Sequence, residues 1–186
     1  FKDEIQHLLE MGLQHLSAYA LTVEPKTLLF NQVEKNKVPP ILDQYAETHF
    51  YILQEQIELS GWDAYEISNY CKPGHRAIHN SNYWKGLPYL GIGPSAHSYF
   101  EGQRLWNIAN NALYIKGLEL GELNFEIETL TVANQINEYI MTGLRTAEGI
   151  HPTKITAVFS NWVNDVQPQI ESFKQSNWLV QHNDTL

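Results

Sequence analysis

Cysteine is almost missing from this sequence: Cys71 stands alone among 186 residues. No internal disulfide is possible, and a lone thiol fits a reducing compartment. Basic residues are scarce too. Residues 1–108 hold 8 Lys and Arg against 12 Asp and Glu, and residues 109–186 hold 4 against 9, for a net charge of −9 overall. A phosphate backbone demands a basic face, and neither half supplies one, so nucleic acid is excluded as an expected partner. No apolar run approaches the roughly 18 residues of a membrane span, and no signal peptide opens the chain. The expectation is a cytoplasmic protein with no transmembrane segment. What is present suffices for a core: 43% of residues are hydrophobic and only 18% charged, which argues against disorder.

The hydrophobic pattern predicts an α/β rhythm at the start. Ile5, Leu8 and Leu9 repeat at helical spacing, with Gly12 as a stop. The apolar run from His15 to Leu21 then reads as a strand. Helix followed by buried strand is the cadence of a parallel sheet, and since the first residue, Phe1, already sits in the helix, the chain is expected to begin partway through a βα repeat. Thr27 is a candidate N-cap for a short helix over 28–36. Pro39 and Pro40 break the chain, a long amphipathic helix runs from Ile41 to Ser60, Gly61 closes it, and Trp62 to Ile67 reads as another strand. Core packing accounts for the apolar residues of these elements.

From Ser68 to Asn110 the composition changes. Turn formers (Pro73, Gly74, Gly86, Pro88, Gly91, Gly93, Pro94) alternate with aromatics, the composition of loops that carry sites. Beyond Asn110 helices are expected near 110–120, 130–145, 152–159 and 165–176, with a strand at Trp178–Gln181. Helices followed by a strand suggest a winged helix, but the acidic charge argues against DNA reading, so this region is taken as a packing domain.

Three constellations could carry chemistry. Cys71, His75 and His79 fall four apart, as metal ligands on one helix face would. Pro73 and Gly74 interrupt that helix, however, and no fourth ligand is evident. Gly91-Ile92-Gly93 lacks the third glycine of a dinucleotide fingerprint and suits a tight backbone approach. Glu66, near a strand end, could serve as an acid or base, or be a paired carboxylate.

A set of strings goes further: Leu16-Ser17-Ala18-Tyr19-Ala20-Leu21-Thr22-Val23-Glu24-Pro25, Tyr65-Glu66-Ile67-Ser68-Asn69-Tyr70, Pro73-Gly74-His75, His79-Asn80-Ser81-Asn82-Tyr83-Trp84, and Tyr89 through Tyr99. In order and spacing they resemble the HemW-type proteins, kin to oxygen-independent coproporphyrinogen III oxidase, over roughly residues 1–180. The resemblance implies the C-terminal part of an open, partial TIM-type radical S-adenosylmethionine barrel over 1–108. It also implies a helical, winged-helix-like domain over 109–186, with both ends trimmed. It implies a 4Fe–4S cluster and S-adenosylmethionine in the full-length protein, the cluster held by Cys-x3-Cys-x2-Cys. Only Cys71 is present here, far from where those ligands belong, so this chain alone is expected to be inactive. Leu21 and Thr22, at the expected end of the first strand, and Gly91, Gly93 and His97 are implied to edge the S-adenosylmethionine pocket.

The family has two functional branches, and His79-Asn80-x-x-Tyr83-Trp84 is the hallmark of the one associated with binding heme and delivering it to acceptor proteins. An imidazole is a good axial ligand for iron, and Tyr83 and Trp84 offer flat apolar surface to a macrocycle. His79 is the implied iron ligand, with the Asn80 carbonyl oxygen a candidate to receive its second ring N–H, and His75 and His97 are the nearest competitors. On the residues alone, these aromatics could equally pack a loop while His79 caps a carbonyl. Two alternatives stand beside heme handling: oxidative decarboxylation of coproporphyrinogen III to protoporphyrinogen IX, and a non-catalytic scaffold.

Overall fold

The spacing of Ile5, Leu8 and Leu9 is realised in a computed structural model of the chain, which describes Phe1–Leu186, as helix α1 (Lys2–Glu10), with Ile5 buried. Gly12 follows at φ +76° and lets the chain turn. Strand β1 comes next but is short, His15–Ser17. Thr27 caps α2 (Leu28–Glu34) by accepting a hydrogen bond from the Phe30 amide. The long helix α3 (Asp43–Leu59) follows, then β2 (Asp63–Glu66) and β3 (Asn69–Cys71). Ile5, Leu53, Ile57, Trp62 and Tyr70 form the core that joins α1, α3 and the sheet.

The expected parallel sheet is not formed. Ile67 and Ser68 reverse the chain, so β3 runs back between β1 and β2 and pairs antiparallel with both, in the order β1-β3-β2. β1 and β2 therefore point the same way without touching, because β3 occupies the lane between them. The first strand also ends at Ser17 rather than Leu21; beyond it the Ala18 amide still donates to the Ser68 carbonyl. Phe1–Ala77 makes one compact unit and Ile78–Leu186 another.

The second unit opens with the short helix α4 (Ile78–Trp84) and then builds a sheet inside the turn-rich segment. Strands β4 (His97–Phe100) and β5 (Gln103–Asn107) form a hairpin across Glu101 and Gly102, whose φ values of +48° and +75° suit the twist of paired strands. Asn110 caps α5 (Asn111–Leu120), left-handed Gly121 ends it, and β6 (Phe125–Thr129) pairs with β5 along its whole length. Helices α6 (Val132–Gly143), α7 (Pro152–Thr156) and α8 (Trp162–Gln175) complete the unit. Arg104 of β5 ties sheet to helix by bridging Glu128 and Glu138. Leu130, Ile150, Ile155 and Leu186 are buried.

The change of composition expected near residue 108 falls within this unit, between β5 and α5. The strand expected at Trp178–Gln181 is replaced by a turn: the amides of Trp178 and Leu179 both donate to the Phe173 carbonyl, and a lone bridge joins His182 to Thr185. The six strands form two separate three-stranded sheets and no closed barrel.

Candidate functional site

Helix α4 carries all four residues of the expected heme motif. His79 and Tyr83 are four apart and so share a face. The His79 Nε2 lies 3.2 Å from the Tyr83 hydroxyl, and the two rings meet nearly at right angles, 82° with centroids 4.8 Å apart. The ring partner seen for His79 is thus Tyr83, where the sequence suggested the Asn80 carbonyl oxygen. Tyr83 packs edge-on against Tyr89 at 4.5 Å, and Tyr89 stacks with Tyr99 at 6.3 Å. Two backbone hydrogen bonds of 3.0 Å fix Tyr89 to Tyr99, each amide donating to the other's carbonyl. A row of aromatic rings therefore runs from β4 to His79. Burial pushes the Tyr89 hydroxyl above its usual pKa, helped by the nearby Tyr83.

The residues of α4 differ in how well they are satisfied. His79 and Tyr83 are exposed, while the Trp84 Nε1 and the Ser81 Oγ are buried with no hydrogen-bond partner. Buried polar groups are normally paired, so these two set α4 apart.

Gly91 and Gly93 lie on the loop that leads from Tyr89 into β4, and His97 is the first residue of that strand. At Gly91 a Cβ would overlap the His97 carbonyl oxygen, which is why only glycine fits there. The Gly91 amide donates to the Ser98 hydroxyl at 2.9 Å, the Gly93 amide donates to the Tyr114 hydroxyl at 3.1 Å, and the Asn107 side chain donates to the Gly93 carbonyl at 2.9 Å. The loop is wound tightly and tied down, as expected of a close backbone approach. Ser98, Asn107 and Tyr114 hold it. Sequence reading gave these three no role, because each acts on a glycine 7 to 21 residues away. His97 is exposed and faces Trp106 across the strand pair, ring centroids 6.0 Å apart.

Leu21 and Thr22 belong to the first unit, where they are exposed in the irregular stretch after β1. Cys71 is wholly buried in β3, and no group of three His, Cys, Asp or Glu is placed to hold a metal ion. Burial, then the nearby Asp63, raises its thiol pKa, so the sulfur stays protonated and unreactive near neutrality. Glu66 is a paired carboxylate: 4% exposed, it accepts from the Asn69 side chain and from the Ser68 amide. Asn69 in turn donates to Tyr19 at 3.2 Å and accepts from Ser17 at 2.5 Å. A groove of about 740 Å³ lined by Leu144, Phe173, Trp178 and Leu186 contains none of the motif residues.

No protein-family profile matches the chain. Individual proteins do. It is 30% identical over 186 residues to the heme chaperone HemW of Bacillus subtilis, covering 99% of this chain and 49% of that protein. It is 32% identical over 177 residues to the heme chaperone HemW of Synechocystis, covering 92% and 42%. With the mitochondrial radical S-adenosyl methionine domain-containing protein 1 of zebrafish it shares 30% over 159 residues, covering 81% and 36%. Its fold matches the radical S-adenosylmethionine coproporphyrinogen III oxidase HemN of Escherichia coli with a TM-score of 0.67 over 97% of this chain and 45% of that one, at 16% identity. The fold and the relatives define a radical S-adenosylmethionine-type protein. Within that class the chain belongs to the HemW type, and it spans about half the length of the relatives it matches.

Proposed function

We propose that this chain supplies the heme-binding surface of a HemW-type protein. His79 acts as an axial ligand to iron, Tyr83 and Trp84 contact the macrocycle, and the bound heme is passed to an acceptor protein. The observation that carries this reading is the exposed imidazole on α4 beside a row of aromatic rings. It is supported by relatives that are heme chaperones by name. Imidazole supplies the nitrogen donor that iron prefers, and the rings supply flat apolar area. The test is a hemin titration of His79→Ala, His75→Ala and His97→Ala against the wild type. Loss of the Soret shift in His79→Ala alone supports the assignment; an unchanged spectrum there with loss in another variant moves the ligand.

A cluster held by three thiolates does not fit this chain, whose one cysteine is buried in a strand. Cluster chemistry therefore belongs to residues outside these 186. In the longer protein, residues 1–108 are proposed to form part of the open barrel, with 109–186 a helical, winged-helix-like domain. Leu21 and Thr22 are proposed to offer backbone contacts to S-adenosylmethionine, as are, separately, Gly91, Gly93 and His97. The cytoplasm is the proposed compartment, on the strength of the single reduced thiol. A second reading, decarboxylation of coproporphyrinogen III, draws on the fold likeness to HemN. Assaying decarboxylation in the full-length protein separates the two.

A further inference from the structure

Resting on the heme reading above, we propose that Tyr83 is a latch on His79. Its hydroxyl occupies the imidazole nitrogen that iron would take, and heme capture requires that hydrogen bond to open.

The argument starts from the polarity of the contact. The His79 Nε2 and the Tyr83 oxygen are 3.2 Å apart, and either could donate. Of the two, a phenol O–H is the stronger donor and an unprotonated imidazole nitrogen the stronger acceptor. The favoured arrangement is O–H to nitrogen, with Tyr83 donating and Nε2 accepting. The ring proton then resides on Nδ1. In that tautomer neither nitrogen has a free lone pair: Nδ1 carries hydrogen and Nε2 is engaged. Iron needs one of them bare.

The hydroxyl is also held in place from behind. Tyr83 packs edge-on against Tyr89, which is bonded through its backbone to Tyr99 of β4. The helix end is fixed as well, the Gly86 amide donating to the Tyr83 carbonyl at 3.0 Å. Latch and catch therefore lie one turn apart on the same seven-residue helix, with the ring of the latch also braced against Tyr89. A second observation points to rearrangement of that helix. The Trp84 Nε1 and Ser81 Oγ are buried without partners, so α4 has hydrogen bonds still to gain in another arrangement.

Replacing Tyr83 with Phe keeps the ring contacts and removes only the hydroxyl. Two measurements on the full 186-residue chain test the latch. The first is long-range ¹H–¹⁵N correlation NMR of the ligand-free protein, which reports where each histidine carries its proton. Wild-type His79 is expected to be protonated on Nδ1, and Tyr83→Phe to shift toward the Nε2-protonated form common in free histidine. The second is hemin titration with the Soret band as readout. Tyr83→Phe is expected to bind about two- to ten-fold more tightly, the range set by the net worth of one hydrogen bond, and to bind faster. A wild-type His79 protonated on Nε2, or weaker hemin binding by Tyr83→Phe, overturns the latch. Unchanged hemin binding by His79→Ala overturns the underlying heme reading instead, and the NMR result still tells whether the hydrogen bond has the assigned direction.

Discussion

Two motifs rich in tyrosine and amide side chains sit in the two units, and folding treats them in opposite ways. In Tyr65-Glu66-Ile67-Ser68-Asn69-Tyr70 the polar groups are turned inward. Glu66 and Asn69 are each 4% exposed and satisfy one another, and Tyr70, fully buried, donates to the Ile67 carbonyl and accepts from Gln54. In His79-Asn80-Ser81-Asn82-Tyr83-Trp84 the imidazole faces solvent, Tyr83 is 44% exposed, and two buried polar atoms lack partners. Similar side chains thus become framework in one unit and an available surface in the other. The difference lies in exposure: a fully satisfied buried network rigidifies, whereas a solvent-facing hydrogen bond such as that between His79 and Tyr83 can be exchanged for a ligand.

The largest effect is expected from Tyr70→Ala, which empties a fully buried aromatic site and removes two hydrogen bonds. Urea unfolding followed by tryptophan fluorescence should show a loss of about 3–5 kcal/mol. Asn69→Ala comes next. It strips the buried Glu66 carboxylate of its side-chain donor, a loss of about 1–3 kcal/mol, and hemin binding by the folded fraction should not change. His79→Ala inverts this pattern, with stability within about 0.5 kcal/mol of wild type and the Soret shift lost. If Asn69→Ala weakened hemin binding as much as His79→Ala, the division between framework and surface would collapse.

The smallest effect is a pH dependence set by three buried groups, Tyr89 in the second unit and Tyr70 and Cys71 in the first. Burial raises the pKa of each, so the folded state holds these protons more tightly than the unfolded state does. Their contribution is complete below the unfolded pKa values, near 8.5 for cysteine and 10 for tyrosine, and is lost as pH rises through the folded ones. Thermal midpoints should fall from pH 8.5 upward, and less steeply in Cys71→Ala.

Much of the helical framework was legible because capping chemistry is local. Thr27, Gly12 and Gly61 mark ends by their own side chains or by their freedom to take positive φ, so α1, α2 and α3 fall close to where their residues place them. The four helices expected after Asn110 also fall near α5 to α8. The sheets were not legible in the same way. Strand β3 is three residues long and begins with a polar Asn69 whose partner Glu66 lies across a turn, so no alternation announces it, and its insertion is what forbids the parallel pairing.

In the second unit the signals were present and were masked by the aromatic, turn-rich composition. Glu101-Gly102 between Tyr99-Phe100 and Leu105-Trp106 is a hairpin turn, and Phe125-Glu126-Ile127-Glu128-Thr129 alternates with period two. The motif from His79 to Trp84 was readable as a string. Its hydrogen bond between ring and hydroxyl was not, since the choice between Asn80 and Tyr83 depends on the helical register of α4.

The placement of β3 in the middle of its sheet also constrains the order in which the chain can be made and folded. His15 pairs with Cys71 and Leu16 with Tyr70, so β1 leaves the ribosome well before β3, the strand that it joins in this sheet. At the usual pace of synthesis that interval lasts some seconds, during which α1 can form but β1 cannot yet pair with β3. α3, which packs on α1, emerges in the interval and can shelter this region. Weakening that early helix pairing should therefore lower the yield of folded protein in cells more than it lowers the stability of protein already folded.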